Sequence, residues 1–336
     1  MADKNPRWKQ RFDSNRQARR WNLTSLALTI PLLLVAYFYY GGQALRTAAI
    51  AALAAFLAEV VAGKLILRRR TWDDWNAVVV GLWIALMLPA HAAVYAAVGA
   101  VFAIVVVKTP FGGTLHTPFS PAAAGFAFIT VCFPGAVFHY LPSEFIPPVQ
   151  GRSLGALLNL GHNAINIQNI NGILLGQTVG PMGTGVIVLI AFLLLAMLCL
   201  KSRRGYAFTS LGFLLMAAFL AFLFPRIDDT MTFALRLSSI GMELFSGSLL
   251  FAAVFLLPEP STMPGRWYTR MFVGAVAGAF AILLRHLPGG FEDSVVFAIL
   301  LANATLPLLY RLQSEVNQQR EFRQLHTKDE GVSSDG

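Results

Sequence analysis

The sequence predicts an all-α integral membrane protein of about ten transmembrane helices, arranged as two inverted five-helix repeats with broken helices. Three observations carry this prediction. Of the 336 residues, 56% are hydrophobic and only 13% are charged, which is outside the usual range of soluble domains. The basic residues stand in short clusters beside apolar runs. Finally, two Gly-Gly loops occupy corresponding places in the two halves.

The apolar runs set the number of spans. A helix needs roughly 20 residues to cross the hydrocarbon core. The runs lie at 23–40, 46–67, 77–90, 92–107, 119–138, 173–200, 206–224, 240–257, 270–286 and 294–310. Pro89 and His91 separate the short third and fourth runs, and a segment rich in glycine, 176–185, interrupts the sixth. These interruptions predict broken helices, which membranes tolerate only where the backbone faces protein or a cavity.

The basic residues predict the orientation. With ten spans, both termini lie on one side, and that side carries 21 of the 26 Lys and Arg residues. The five exceptions are Arg46, Arg152, Arg226, Arg236 and Arg285. Because cytosolic loops are enriched in basic residues, we expect both termini in the cytosol and the chain in a bacterial cytoplasmic membrane.

The same pattern divides the chain into five parts. They are a basic cytosolic tail at 1–20, a first five-helix repeat at 21–138, an extracytoplasmic loop at 139–171, a second five-helix repeat at 172–312, and a disordered cytosolic tail at 313–336. The Gly-Gly loops, 111–113 and 288–291, precede the last span of each repeat. An odd number of spans in each repeat forces the two repeats into opposite orientations.

Several kinds of site are absent from the sequence. Cys132 and Cys199 lie in apolar runs without CxxC spacing, and the histidines show no ligand spacing, so no metal site is predicted. Neither GxGxxG after a strand nor GxxxxGK[ST] occurs. The net charge of +9 comes from clusters that flank spans, so we expect no nucleic-acid partner.

Three stretches of the chain resemble one protein family. They are KTPFGGTLHTPFSPAAAGFAFITVCFP at 108–134, FSGSLLFAAVFLLPEPSTMPGRW at 245–267 and LPGGFEDSVVFAILLANATLPLL at 287–309. In order and spacing they resemble the D subunit of Rnf-type electron transport complexes and the homologous B subunit of sodium-translocating NADH:quinone oxidoreductases. The likeness extends from about residue 20 to residue 312.

The resemblance implies a membrane subunit of a redox-driven ion-translocating complex. Its partners would be other subunits of the complex, the lipid bilayer, and sodium ions or protons. Family members carry FMN on a threonine in the loop after the fifth span, and riboflavin has also been associated with the fold. Two alternatives from other classes stay open. One is a secondary transporter for a small solute, and the other is a cofactor-free membrane anchor for redox subunits.

This chain departs from the family at the flavin-attachment position. The loop at 139–171 contains no threonine, and Ala156 stands where the attachment threonine is expected, with Ser153 at the motif serine. A methyl group cannot form a phosphoester, so we expect no covalent FMN at this loop. Thr178 and Thr184 lie nearby without the flanking pattern. A non-covalent riboflavin, FMN or quinone remains compatible with the sequence.

Two acidic residues lie within apolar runs, Glu59 and Glu243. An ionised carboxylate at membrane depth is costly unless it is paired or hydrated, so both are candidates for an ion pathway. The alternative for Glu59 is a pair with Lys64 or a position near the interface. The alternative for Glu243 is a carboxylate exposed to solvent at the outer boundary of the membrane. Glu259 keeps a carboxylate where the family has aspartate, and we expect it to anchor a loop or helix end.

The candidates for cofactor binding share a place at helix starts or helix interfaces within the three resembling stretches. They are Pro118, Ser120, Pro121, Ser246, Gly247 and Asn303. An exposed helix N-terminus after Pro118 could hold an anion or a quinone oxygen. The alternatives are a structural helix start for Ser120 and Pro121, and packing across helices for Asn303.

Overall fold

The computed structural model describes residues 7–68, 75–141, 153–159, 170–226, 233–287 and 292–311. Within these ranges the chain forms helices joined by turns, and it forms no strand there. A helix satisfies its backbone hydrogen bonds within its own segment, as the hydrocarbon core requires of a spanning element. The prediction of an all-α protein is confirmed for the described part of the chain.

The first half of the chain contains six helices. These are α1 (Arg7–Tyr40), α2 (Gly42–Ala62), α3 (Asn76–Leu86), α4 (Ala93–Phe102), α5 (Pro121–Cys132) and the short α6 (Pro134–Val137). Both α2 and α4 continue as a π-helical turn, at Gly63–Leu67 and Ala103–Lys108 respectively.

The second half contains eight described helices. These are α7 (Leu154–Asn159), α8 (Ile170–Leu174), α9 (Ile187–Cys199), α10 (Ala207–Leu223), α11 (Phe233–Phe245), α12 (Leu249–Phe251), α13 (Trp267–Arg285) and α14 (Val295–Arg311). The helix that begins with α12 continues as a π-helical turn to Leu256, and a 3-10 turn, Pro260–Thr262, precedes α13.

Length and composition identify the helices that could cross a membrane by themselves. Three qualify among the described residues, namely Arg16–Tyr40, Gly42–Leu67 and Trp267–Arg285. A fourth candidate is the pair Ser239–Phe245 and Leu249–Leu256, which is bent by 67°. Six further apolar helices have 10–17 residues. The chain thus has the apolar helices of a multi-pass membrane protein, while the count of ten crossings stays a prediction.

The outer surface of the bundle is apolar on several helices. Large hydrophobic side chains face outward on α1, α2, α9, α10 and α14, for example Phe38, Leu53, Phe192, Phe219 and Leu308. A soluble monomer rarely exposes so much contiguous apolar surface. This distribution is what a lipid-facing surface requires.

Two interruptions among the described residues lie next to the candidate site, and one of them was predicted. The sixth apolar run breaks between Leu174 and Ile187, which confirms the predicted interruption. The loop packs on the end of α3, because the N–H groups of Met182 and Gly183 donate to the carbonyls of Leu88 (3.1 Å) and Leu86 (2.8 Å). These carbonyls at the helix end would otherwise lack partners.

The second interruption was not predicted. The apolar run at 240–257 was expected to be one helix, but α11 ends at Phe245 and the next helix begins at Leu249. Gly247 lies between them with φ of 63°, a left-handed conformation that glycine adopts without steric cost. The prediction failed because Ser246 and Ser248 do not interrupt the apolar pattern.

Close backbone contact joins α10 to α13. A Cβ atom on Gly274 would lie 2.0 Å from the carbonyl oxygen of Thr209, and one on Gly278 would lie 2.4 Å from that of Phe213. Glycines spaced four residues apart let two helix backbones approach closely, which stabilises helix pairs in lipid through van der Waals contact.

The predicted domain boundaries stay predictions. Most of the predicted loop at 139–171 lies outside the described residues, as do the whole predicted tail at 313–336 and the first six residues of the predicted tail at 1–20.

Candidate functional site

Glu59 forms a buried ion pair with Lys108. Glu59 lies on α2 with 2% of its surface exposed, and Lys108 ends the π-helical turn after α4. The Lys108 Nζ lies 2.5 Å from the Glu59 Oε1. The partner of Glu59 is therefore a residue of another helix, rather than Lys64 on its own helix, and the carboxylate lies in the protein interior.

A second carboxylate, Glu259, lies near this ion pair. Glu259 and Ser120 are both buried, and the Glu259 Oε2 and the Ser120 Oγ make no hydrogen bond of standard geometry with described residues. Burial raises the pKa of the Glu259 carboxyl to about 7, and the nearby Ser120 hydroxyl and Lys108 ammonium limit the rise. Two carboxylates, Glu59 and Glu259, therefore lie near the Lys108 ammonium group.

A hydrogen bond joins the loop before α5 to the turn after α12. The Thr117 hydroxyl donates to the Ser261 Oγ at 2.8 Å. This contact holds the loop that contains Pro118 against the turn that contains Glu259. It explains why Ser120, at the start of α5, comes close to a carboxylate far away in the sequence.

Glu243 lies between two arginines. The Arg226 Nε and Nη2 lie 2.5 and 2.8 Å from the Glu243 Oε1 and Oε2, and the Arg285 Nη1 lies 3.1 Å from Oε2. The carboxylate is 1% exposed. The alternative of a solvated carboxylate is wrong, because two guanidinium groups replace water as its partners.

The arginine at the end of α13 also binds the carbonyl end of α11. The Arg285 Nη1 donates to the Glu243 carbonyl at 2.7 Å, and Nη2 donates to the Ser246 carbonyl at 2.8 Å. The last carbonyls of a helix have no partner within it and carry a partial negative charge. A cation at this position therefore stabilises the break between α11 and α12.

A carboxylate binds the other side of the same break. The Asp293 Oδ2 accepts a hydrogen bond from the Ser248 N–H at 2.9 Å, at the start of α12. An anion there complements the partial positive charge of a helix N-terminus. The break thus has a cation on its carbonyl side and an anion on its amide side.

A pocket opens beside this break. Its lining includes Tyr140, Ser153, Thr184, Gly247, Glu292 and Asp293. The Ser153 hydroxyl donates to the Glu292 Oε2 at 2.5 Å and accepts a bond from the Ala156 N–H at 3.2 Å. The interior has room for about two or three water-sized guests.

The family's flavin-attachment position lies next to this pocket, at residue 156. Ala156 offers no oxygen for a phosphoester. The carboxylates of Glu292 and Asp293 would repel a phosphate group. Residue 156 therefore departs from the flavin attachment that the family resemblance implies.

Within the described part of the chain, Pro121 and Asn303 make no hydrogen bond or ion pair with a charged residue of these clusters. Pro121 is the first residue of α5, and Ser120 precedes it without a side-chain capping hydrogen bond. Asn303 on α14 is buried, and neither its Nδ2 nor its Oδ1 has a hydrogen-bond partner among the described residues.

The predicted residues thus fall into two groups at opposite ends of α13. Ser120 and the Glu59–Lys108 pair lie near Glu259, which precedes α13 in the chain, and Glu243 and Ser246 lie at its end beside Arg285. With 19 residues, α13 is about 28 Å long, at a rise of about 1.5 Å per residue.

Sequence reasoning missed the basic partners. Lys108 and Arg285 were counted as loop residues, yet both are buried in ion pairs. Each of them ends an apolar helix just before a Gly-Gly loop, and this correspondence was the available signal. Arg203 was also counted as a loop residue. It is fully buried, and its guanidinium lies 4.0 Å from the centre of the Trp21 ring.

Comparison with known proteins gives one consistent result. The profile of the family described as NQR2, RnfD, RnfE family matches residues 7–318. A protein of Klebsiella pneumoniae (strain 342), named as the D subunit of an ion-translocating oxidoreductase complex, is 30% identical over 338 residues, which cover 88% of this chain and 93% of that protein. Proteins of the same name from Salmonella dublin and Salmonella enteritidis PT4 are 28% identical over 334 residues, with the same coverage.

Proposed function

The chain belongs to the NQR2, RnfD and RnfE family, and on this premise we propose that it is the D subunit of an ion-translocating oxidoreductase complex. The observation that carries the proposal is the family match over residues 7–318, together with relatives of that name that align over 88% of the chain. The partners are the other subunits of the complex, and the location is the bacterial cytoplasmic membrane.

We propose that the chain crosses the membrane ten times as two inverted repeats, with both termini in the cytosol. The two buried ion pairs support this arrangement. Lys108 ends the fourth helix of the first half and binds Glu59, and Arg285 ends the corresponding helix of the second half and binds Glu243. A Gly-Gly loop follows each basic residue. Because the two pairs lie at opposite ends of α13, they fit halves of opposite orientation.

We propose that Glu59, Lys108 and Glu259 form the cytosolic uptake site of the ion pathway. A buried carboxylate without its own counter-ion is unstable in a low-dielectric interior. Burial raises the pKa of the Glu259 carboxyl to about 7, so this group can bind and release a proton near neutral pH beside the Glu59–Lys108 ion pair. Glu243 lies at the other end of the pathway, where two arginines neutralise its charge.

We further propose that any flavin or quinone is bound without a covalent bond. The support is Asn303, whose amide nitrogen and oxygen are buried without described partners. Buried polar groups in proteins are almost always hydrogen-bonded, so such groups point to a ligand or water. A bound flavin would supply electron transfer, and Asn303 would hold its polar edge. In the purified protein, denaturation should release all flavin absorbance from the chain, and flavin retained after denaturation would refute this proposal.

The decisive experiment measures ion transport by the whole complex. Inverted membrane vesicles that contain the complex with Glu59→Gln should lose most of their redox-driven ion uptake, because an amide cannot form an ion pair with Lys108. The matched control is Cys199→Ala, a change at an exposed apolar position. Unchanged uptake with Glu59→Gln and with Glu259→Gln would instead indicate a membrane anchor. Solute uptake by the isolated protein without redox partners would indicate a secondary transporter.

A further inference from the structure

We propose that the adjacent N-terminal ends of α10 and α13 bind the phosphate headgroup of an anionic phospholipid. This surface, the basic end, also includes the turn before α10. Its exposed residues are Lys201, Arg204, Phe208, Arg266 and Trp267. The inference is independent of the proposed redox function, because it requires only that these apolar helices lie in a bilayer.

The helices α10 and α13 run parallel and begin side by side. The rings of Phe208 and Trp267, in the two first turns, lie 5.7 Å apart, and further along Gly278 lies against Phe213. Neither first turn contains an acidic residue, and neither helix has a side-chain cap. The N–H groups at a helix start lack partners within the helix and carry a partial positive charge, which favours an anion.

Basic side chains add full positive charges at the same place. They are Lys201, Arg204, Arg266 and Arg270. Arg270 lies against the turn before α10, because a Cβ on Gly205 would be 2.8 Å from its Nη1, and its Nε donates to the Pro264 carbonyl at 2.6 Å. None of the four forms an ion pair with a carboxylate of the described residues. The basic end therefore attracts an anion from outside the chain.

A buried cation beside the basic end is a separate observation. Arg203 is fully buried, its Nε and Nη2 donate only to neutral oxygens, and its Nη1 has no hydrogen-bond partner among the described residues. Its guanidinium lies 4.0 Å from the centre of the Trp21 ring, which lies 4.7 Å from the Tyr206 ring. On Tyr206 the guanidinium of Arg270 stacks at 4.2 Å. A buried guanidinium without a carboxylate is costly, so it also favours an anion nearby.

The apolar neighbours of these charges identify the anion as a lipid headgroup. Trp267 and Tyr268 are 58% and 47% exposed, and Phe208 and Leu211 face outward on α10. The Arg266 Nη1 donates to the Tyr268 hydroxyl at 2.5 Å, so a charge and an aromatic ring are held together. Tryptophan and tyrosine at helix ends are typical of the membrane interface, and basic sites between helices there bind anionic headgroups. A free phosphate ion would leave the apolar side chains uncovered.

The test measures lipid binding to the purified full-length protein in detergent by native mass spectrometry. We expect the first phosphatidylglycerol to bind about tenfold more tightly than the first phosphatidylcholine, because hydrogen bonds between guanidinium and phosphate are strong. Arg204→Gln combined with Arg266→Gln should reduce this preference to about threefold or less. Lys64→Gln, which removes an exposed basic residue at the end of the α2 helix, is the matched control and should keep the preference.

Several results would overturn the inference. Equal affinity for the two lipids, or an equal loss of preference in Lys64→Gln, would mean that the basic end is no specific site. Displacement of phosphatidylglycerol by an equimolar amount of inorganic phosphate would indicate a site for a free anion. An unchanged preference in the double variant, with failed assembly of the complex, would indicate a contact with another subunit. Circular dichroism and size-exclusion profiles show whether the double variant folds, and if it does not, Arg266→Gln alone decides the question.

Discussion

Arg285 and Asp293 bind opposite sides of the same break in a helix. Arg285 donates to the carbonyls of Glu243 and Ser246 at the end of α11, and Asp293 accepts from the Ser248 N–H at the start of α12. The two charges replace the backbone hydrogen bonds that the break removes. A non-helical stretch can therefore persist inside an apolar bundle, because none of these backbone groups is left without a partner.

Removing the arginine should destabilise the protein strongly. With Arg285→Ala, Glu243 keeps only Arg226, and the carbonyls of Glu243 and Ser246 lose their donors. We expect a loss of about 3 kcal/mol or more, the range seen when one partner of a buried ion pair is removed. The measurement is thermal unfolding in detergent or nanodiscs. Lys64→Ala, an exposed lysine at the end of the α2 helix, is the control and should change stability little.

The free energy of unfolding should fall as the pH rises from about 4.5 to about 7, because of the Glu259 carboxyl. Its pKa is raised from 4.5 to about 7 by burial, so the folded protein holds a proton that the unfolded chain releases. The stabilisation is complete below about pH 4.5 and is lost progressively up to about pH 7. The total is on the order of 3 kcal/mol, since one pKa unit corresponds to about 1.4 kcal/mol.

Glu259→Gln tests this dependence on pH. The amide stays neutral, so the unfolding temperature of the variant should vary less between pH 5 and pH 8 than that of the unmodified protein. Glu292→Gln serves as the matched control, because it removes a carboxylate at the other end of α13. An identical pH profile for the Glu259→Gln variant and the unmodified protein would mean that the carboxyl titrates normally.

The close contact between α10 and α13 depends on glycine. Gly274→Val would place a branched side chain where even a Cβ lies 2.0 Å from the Thr209 carbonyl oxygen. We expect the helices to separate, at a cost of about 1–3 kcal/mol or more, measured by thermal unfolding. Gly42→Ala at the start of α2, where a Cβ meets nothing within 4 Å, should be neutral or slightly stabilising. Equal stability of the two variants would argue against this packing.

The proposed topology can be tested with cysteine labelling. Both native cysteines are exposed, so the background is Cys132→Ala with Cys199→Ala. On it, Ser202→Cys in the turn between α9 and α10 should react with an impermeant maleimide only in inverted vesicles. Leu287→Cys, after α13, should react only in right-side-out vesicles. Swapped accessibility, with Ser202→Cys labelled only in right-side-out vesicles and Leu287→Cys only in inverted ones, would be incompatible with an inverted second half.

Local features of the sequence were sufficient for the helices and for one of the two breaks. The apolar runs contain the helices, and the glycine-rich segment at 176–185 contains the interruption between α8 and α9. The break at Gly247 was missed, because Arg285 and Asp293, which bind its two sides, stand 38 and 46 positions beyond it in the chain. Glu59 and Glu243 were recognised as costly carboxylates, but their partners were not.

The amino-acid sequence by itself determined that the chain is helical, apolar and a member of its family, because hydropathy and family motifs are properties of short segments read in order. It also determined that Ala156 cannot carry a flavin through a phosphoester. Only the tertiary structure decided which charges neutralise one another. Glu59 meets Lys108, and Glu243 meets Arg226 and Arg285, across separations of 17 to 49 residues. Electrostatic pairing in an apolar interior depends on distance in space, and that distance exists only after the helices have packed.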